Sequence, residues 1–108
     1  MIVTTTESID GARIASYLGI VSGDAVLGTN IFKDLFASVR DIVGGRAGAY
    51  ERVLQEGKEL AIADMIARAK DLGADAVVGV DLEYQVIGGD NKTLLLVSVN
   101  GTAVTLGG

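Results

Sequence analysis

Neither cysteine nor histidine occurs among the 108 residues. The first absence excludes disulfides, thiolate nucleophiles and zinc ribbons together. The second removes the commonest metal ligand and the usual acid–base near neutral pH. Any chemistry must therefore use carboxylates, Lys, Tyr, Ser, Thr or backbone groups. Aromatic residues are scarce as well, at 5% against 49% apolar overall, so a core has to come from Val, Ile, Leu and Ala with few large anchors. Positive charge is thin: nine Lys and Arg are scattered among fourteen Asp and Glu, for a net charge of −5. Nucleic-acid binding needs clustered cations to release counterions, and no nucleic-acid partner is expected. A membrane-spanning run is also missing. The longest uncharged stretch, Thr93 to Gly108, is broken by Ser98, Asn100, Gly101 and Thr102 and falls short of the roughly 20 mainly apolar residues a spanning helix needs. The opening MIVTTTESIDG has neither a basic region nor an apolar stretch of signal-peptide length, so a cytoplasmic location and no membrane partner are expected.

What the chain does contain is aliphatic surface. Its length suits one domain, residues 1–108, with no internal repeat or linker. A domain of this size buries only roughly 60–70% of its unfolded surface, and the mean hydropathy is +0.43. A lone copy would leave much of that aliphatic surface wet, so self-association is expected.

Periodicity outlines an α+β subunit with an antiparallel sheet, one short and one long helix, in the order β-β-α-α-β-β. Ile2 to Thr5 is short and β-prone, and Ser8 to Gly11 has turn composition. Ala12 to Thr29 reads as one long strand or two short ones, with Gly19 and Gly23 as bulges or a bend. Asn30 suits an N-cap, and Phe32, Leu35, Phe36, Val39, Ile42 and Val43 recur at helical spacing up to Gly44 and Gly45. A long helix is predicted from about Ala47 to Leu72. At about 100° per residue, Leu54, Ala61, Met65 and Leu72 share a direction with Ile62, Ile66 and Ala69 adjoining them, while Val53 and Leu60 fall outside that stripe. Gly57 costs this helix about 1 kcal/mol relative to Ala and reads as simply tolerated or, as the alternative, as a site of close backbone packing; Gly73 ends it. Val80, Leu82, Tyr84 and Val86 alternate with Asp81, Glu83 and Gln85, a strand period. GGDNK at 88–92 is turn chemistry, and Thr93 to Leu106 returns as a second strand, making a hairpin under the long helix.

Two constellations bear on function. DIVGGRAGAYE, Asp41 to Glu51, resembles a phosphate cradle in composition, but GxxxxGK[ST] and GxGxxG are both absent and the glycines follow a helix. Helix punctuation is one reading of it. The other is a phosphate or carboxylate site formed by Gly44, Gly45, Arg46, Gly48, Tyr50 and Glu51, with Arg40 contributed at a subunit junction and amides of the second helix facing the anion. Glu51, placed in the first turn of the predicted helix, would satisfy that positive helix end internally. The second constellation is Asp81 with Glu83, on one strand face about 6.5–7 Å apart at the backbone. They are ordinary acids of a solvent or inter-subunit face, or weak ligands for a hard cation such as Mg²⁺ or Mn²⁺ in a metal-assisted hydrolase. No nucleophile accompanies them, and no catalytic residue is assigned. Tyr17, Tyr50 and Tyr84 combine an apolar body with a polar tip, suiting either core edges or a subunit interface.

YLGIVSGDAVLGTNIFKDLFASVRDIVGGRAGAYE, Tyr17 to Glu51, LGADAVVGVDLEY, Leu72 to Tyr84, and the late VSVNGTAV together resemble the YbjQ-like family of bacterial and archaeal proteins over nearly the whole chain. The resemblance implies a dodecin-like α+β subunit assembling into a ring, a homopentamer described as a β/α propeller with short extra strands at its contacts. The family's heavy-metal label suits this donor set poorly. Soft ions take thiolate, thioether or imidazole, and only Met1 and Met65 are on offer. No cofactor is expected. The leading reading is a homo-oligomeric binding or scaffold protein whose assembly face uses the strands and the segment from Asn30 to Glu51; the alternative is binding of a small anionic ligand at Gly44–Glu51.

Overall fold

The structure, a computed structural model, describes residues 1–28, 46–89 and 92–107. Strands β1 (Ile2–Val3) and β2 (Arg13–Leu27) precede helix α1 (Arg46–Asp71), and strands β3 (Ala76–Gly89) and β4 (Lys92–Gly107) follow it. The short helix expected from Asn30 lies outside the described residues, so the observed order is β-β-α-β-β. The sheet runs β1-β3-β4-β2, with β3/β4 and β4/β2 antiparallel. It is mixed rather than antiparallel, because β1 pairs parallel with β3, Ile2 opposite Ala76 and Val3 opposite Val77. Two residues carry no readable period, so nothing in Ile2–Val3 announces its partner.

Alternation in β4 builds the core. Leu95, Val97, Val99 and Ala103 point under α1 and are buried, joined from β2 by Val21, Ala25 and Leu27. On the opposite face a second, smaller cluster of Ala76, Val78 and Val104 is covered by Ile9, Ile14 and Leu106. The predicted stripe of α1 is rotated in the structure. Val53, Gly57, Ala61, Met65 and Ala69 form the buried row, while Leu60 and Leu72 are exposed. The cause is geometric: an i+4 row is a ridge inclined to the helix axis, and such a ridge follows a twisted sheet better than a stripe parallel to the axis.

Small residues on that ridge bring the helix backbone against the strands. A Cβ on Gly23 would overlap the Ala61 carbonyl oxygen and sit 2.5 Å from the Met65 amide nitrogen, both rigid backbone atoms. Gly23 is thus a contact point, not a bulge; the register shifts of β2 fall between Ile14 and Ser16 and between Tyr17 and Gly19. Gly57 is likewise a packing position rather than a tolerated one, since a Cβ there would lie 2.7 Å from Val97 Cγ2. The helix stops as expected at Gly73, whose φ of 81° permits a Schellman close: Ala74 N–H donates to the Ala69 carbonyl at 3.0 Å and Gly73 N–H to the Lys70 carbonyl at 2.9 Å.

The subunit is extended. Its radius of gyration is 17.2 Å, against about 13 Å for a compact domain of this length. Its accessible surface is 6906 Å², against roughly 5,700 Å² from the scaling of monomeric proteins.

Gly23→Ala tests the close approach. In an ordinary strand this change is neutral or stabilising, because it restricts the unfolded chain; here overpacking should cost about 1–3 kcal/mol. A urea midpoint clearly below wild type is the expected result, and an alanine variant of equal stability would contradict the packing described.

Candidate functional site

The structure confirms that Asp81 and Glu83 share a sheet face and adds their neighbours. Asp81 stands opposite Asn100 and Glu83 opposite Ser98, and on the far side of β4 the same Ser98 stands opposite Asp24. The Ser98 hydroxyl donates to Asp24 Oδ1 at 3.1 Å. Asp24, Ser98 and Glu83 thus form one polar row across three strands, on the face away from α1. The Asp24 backbone amide points out of the sheet edge and donates to Asp64 Oδ2 of α1 at 3.2 Å. Arg68 reaches the same Asp64 oxygen at 3.5 Å.

This row is open to solvent, with Asp24, Asp81 and Glu83 all exposed. Among the described residues no three of His, Cys, Asp and Glu come together in a way that would hold a metal ion. Asp24 and Glu83 stand on either side of β4, two strand spacings or roughly 10 Å apart, and Asp24 already accepts from Ser98. Soft-metal donors fare no better: Met65 is fully buried beneath the helix, and Met1 is 46% exposed at the terminus.

For the glycine stretch, Arg40, Gly44 and Gly45 lie outside the described residues. Arg46, Gly48, Tyr50 and Glu51 all fall in the first two turns of α1, whose first residue is Arg46. Glu51 sits five positions further on, and the first turn holds no acid. The internal neutralisation expected from Glu51 is therefore displaced from the helix end, where the dipole's field is concentrated.

One concavity went unnoticed in the sequence. Ile2, Thr4, Thr6, Ser8, Ile9 and Asp10 line an open cleft of about 310 Å³. Its backbone is pinned to β3: Thr4 N–H donates to the Val77 carbonyl at 3.0 Å, Val80 N–H to the Thr4 carbonyl at 3.1 Å and Gly79 N–H to the Thr6 carbonyl at 2.8 Å. The opposite end turns back through an Ala12 N–H to Ile9 carbonyl bond of 3.2 Å. The available signal was the hydroxyl run TTTES ahead of Asp10, readable as polar lining only once this loop is known to fold back along β3.

Comparison with known proteins follows the fold. The YbjQ_1 family model, described as "Putative heavy-metal-binding", matches residues 1–107. Among solved structures, a crystal structure of a protein of unknown function from Pediococcus pentosaceus, assigned to the DUF74 family, superposes with a TM-score of 0.62. It is 18% identical, and the match covers 99% of this chain and 98% of that one. At that identity the likeness speaks to the fold.

The donor set predicts the response to metals. Titration with Zn²⁺ or Cd²⁺ should show no saturable binding tighter than about 100 µM, since built thiolate or imidazole sites are tighter by orders of magnitude. A one-to-one isotherm with Kd below about 1 µM would contradict this donor set.

Proposed function

This chain belongs to the YbjQ-like family, and on that premise we propose that it is a self-assembling binding or scaffold subunit, five copies closing a ring. One observation carries the reading: the outer edge of β3. β1 and the following loop pair with β3 only as far as Val80. From Asp81 to Gly89 no strand among the described residues lies on that side. Natural proteins blunt such edges with charge, proline or bulges. Here Tyr84 to Gly89 reads YQVIGG, with neither charge nor proline.

The apolar side chains agree. Val86 is 64% exposed, and Tyr84 and Ile87 are 44% and 47% exposed. At the other side of the sheet, on β2, Tyr17 and Ile20 are exposed at 72% and 83%. Two unlike patches on opposite edges favour a head-to-tail contact, which closes into a ring when the rotation permits. The excess of roughly 1,200 Å² over a compact monomer is of the size a specific interface covers. Assembly would join subunits edge to edge, and the polar rows of Asp24, Ser98, Glu83 and Asp81 would then repeat around the ring.

The Ser98 hydroxyl beside these acids is engaged with Asp24 and the row lies open to solvent, so the reading is one of binding rather than catalysis. Anion binding at Gly44–Glu51 is the second reading, supported by the first turn of α1, which carries Arg46 and no acid.

Light scattering after gel filtration should give about 55 kDa, five times the 11.1 kDa subunit. Val86→Lys and Ile20→Lys, each at an exposed position where the fold itself should lose no more than about 0.5 kcal/mol, should both lower that mass. A wild-type mass of 11.1 kDa at micromolar concentration overturns the proposal, and an unchanged mass for Ile20→Lys overturns its head-to-tail form. Calorimetric titration with inorganic phosphate, on wild type and Arg46→Ala, tests the second reading; no heat in either would end it.

A further inference from the structure

The cleft of residues 2–10 has no part in the assembly reading, and its chemistry is one-sided. Thr6 Oγ1 has a single proton and donates it to the Ser8 carbonyl at 2.7 Å. The 2.8 Å contact between the Thr4 and Thr6 hydroxyls must therefore run from Thr4 to Thr6. The Thr6 amide donates to Thr4 Oγ1 at 3.2 Å, and the Thr4 amide is committed to Val77. Every proton of these two threonines is spent. What they still present to the cleft is lone pairs.

The rest of the lining points the same way. Asp10 is its one charged side chain, and an ionised carboxylate only accepts. An anion would meet a like charge, and the one side-chain donor left in the lining is the Ser8 hydroxyl. Ile2 and Ile9 supply apolar walls. A cleft of about 310 Å³ has the space of about ten waters, ample for a short alkyl chain with an ammonium at its end. The net charge of −5 raises the local concentration of cations.

We infer that this cleft is a binding site for a small aliphatic ammonium. The ammonium N–H groups donate to the Asp10 carboxylate and to the free lone pairs of the Thr4 and Thr6 hydroxyls, and the methylenes lie between Ile2 and Ile9. All six lining residues come from one chain, so the cleft forms without the proposed assembly.

The test is an amide-resolved NMR titration of the full chain with 1,4-diaminobutane in about 150 mM salt, which screens diffuse attraction. Saturable shifts confined to the amides of residues 2–10 and their β3 partners are expected, with affinity falling about tenfold in Asp10→Asn. Glu56→Gln, on the exposed side of α1, should bind as wild type does, and 1-butanol should bind far more weakly than the diamine. Unsaturated shifts spread over the acidic surface would overturn the inference. So would an Asp10→Asn variant that binds as tightly as wild type, or 1-butanol matching the diamine.

Discussion

A β-strand edge with unpaired amides and carbonyls is a template for another strand, and the stretch of β3 from Asp81 to Gly89 is such an edge among the described residues. The other edges are managed. Strand β2 carries two register shifts, and its Asp24 amide is capped by Asp64 from the helix. The first five residues of β3 are covered by β1 and the loop that continues it. Surplus surface and the uncharged YQVIGG sequence bear on this open stretch of β3. Cover by a second copy, as proposed, would turn a hazard into an interface.

The interior can leave this edge free because the helix is spent elsewhere. Gly57, Ala61 and Ala69 on α1 and Gly23 on β2 let the helix backbone settle directly over β2 and β4. A helix seated that close covers a narrow strip and reaches little of β3. Leu82 is partly buried beside the core, whereas Tyr84 and Val86, two and four residues further on the same face, are exposed. The aliphatic, aromatic-poor composition has the same consequence: with few large side chains to bridge a wide gap, the core is thin and close-packed, and apolar strand surface stays exposed.

Elements with a strong period were legible in the sequence. The alternation Val80 to Val86, the turn composition at 88–92 and the Gly73 stop gave the hairpin and the helix end within a few residues, and Gly19 marked a true irregularity of β2. Three features were not legible, each for a physical reason. The parallel pairing of Ile2–Val3 depends on a contact about 75 residues away and leaves no local pattern. The burial of Val53 and the exposure of Leu72 follow from an inclined ridge on a twisted sheet, which a straight helical wheel does not represent. The Thr4–Thr6–Ser8 cleft depends on the course of a loop along β3. Of the expected sites, Asp81 and Glu83 were placed correctly on one face, and their link through Ser98 to Asp24 required the strand register. Arg40, Gly44 and Gly45 lie outside the described residues, so the glycine site is judged on Arg46, Gly48, Tyr50 and Glu51 alone.

Amide hydrogen exchange along β3 addresses the open edge most directly. In a bare edge strand, alternate amides face water and exchange freely while their neighbours are held by β4. If a second copy pairs there, both sets from Asp81 to Gly89 should be protected in the concentrated protein, and the outward set should lose protection on dilution. Outward amides that exchange freely at every concentration would contradict the account, because no strand would then be covering the edge on which the assembly depends.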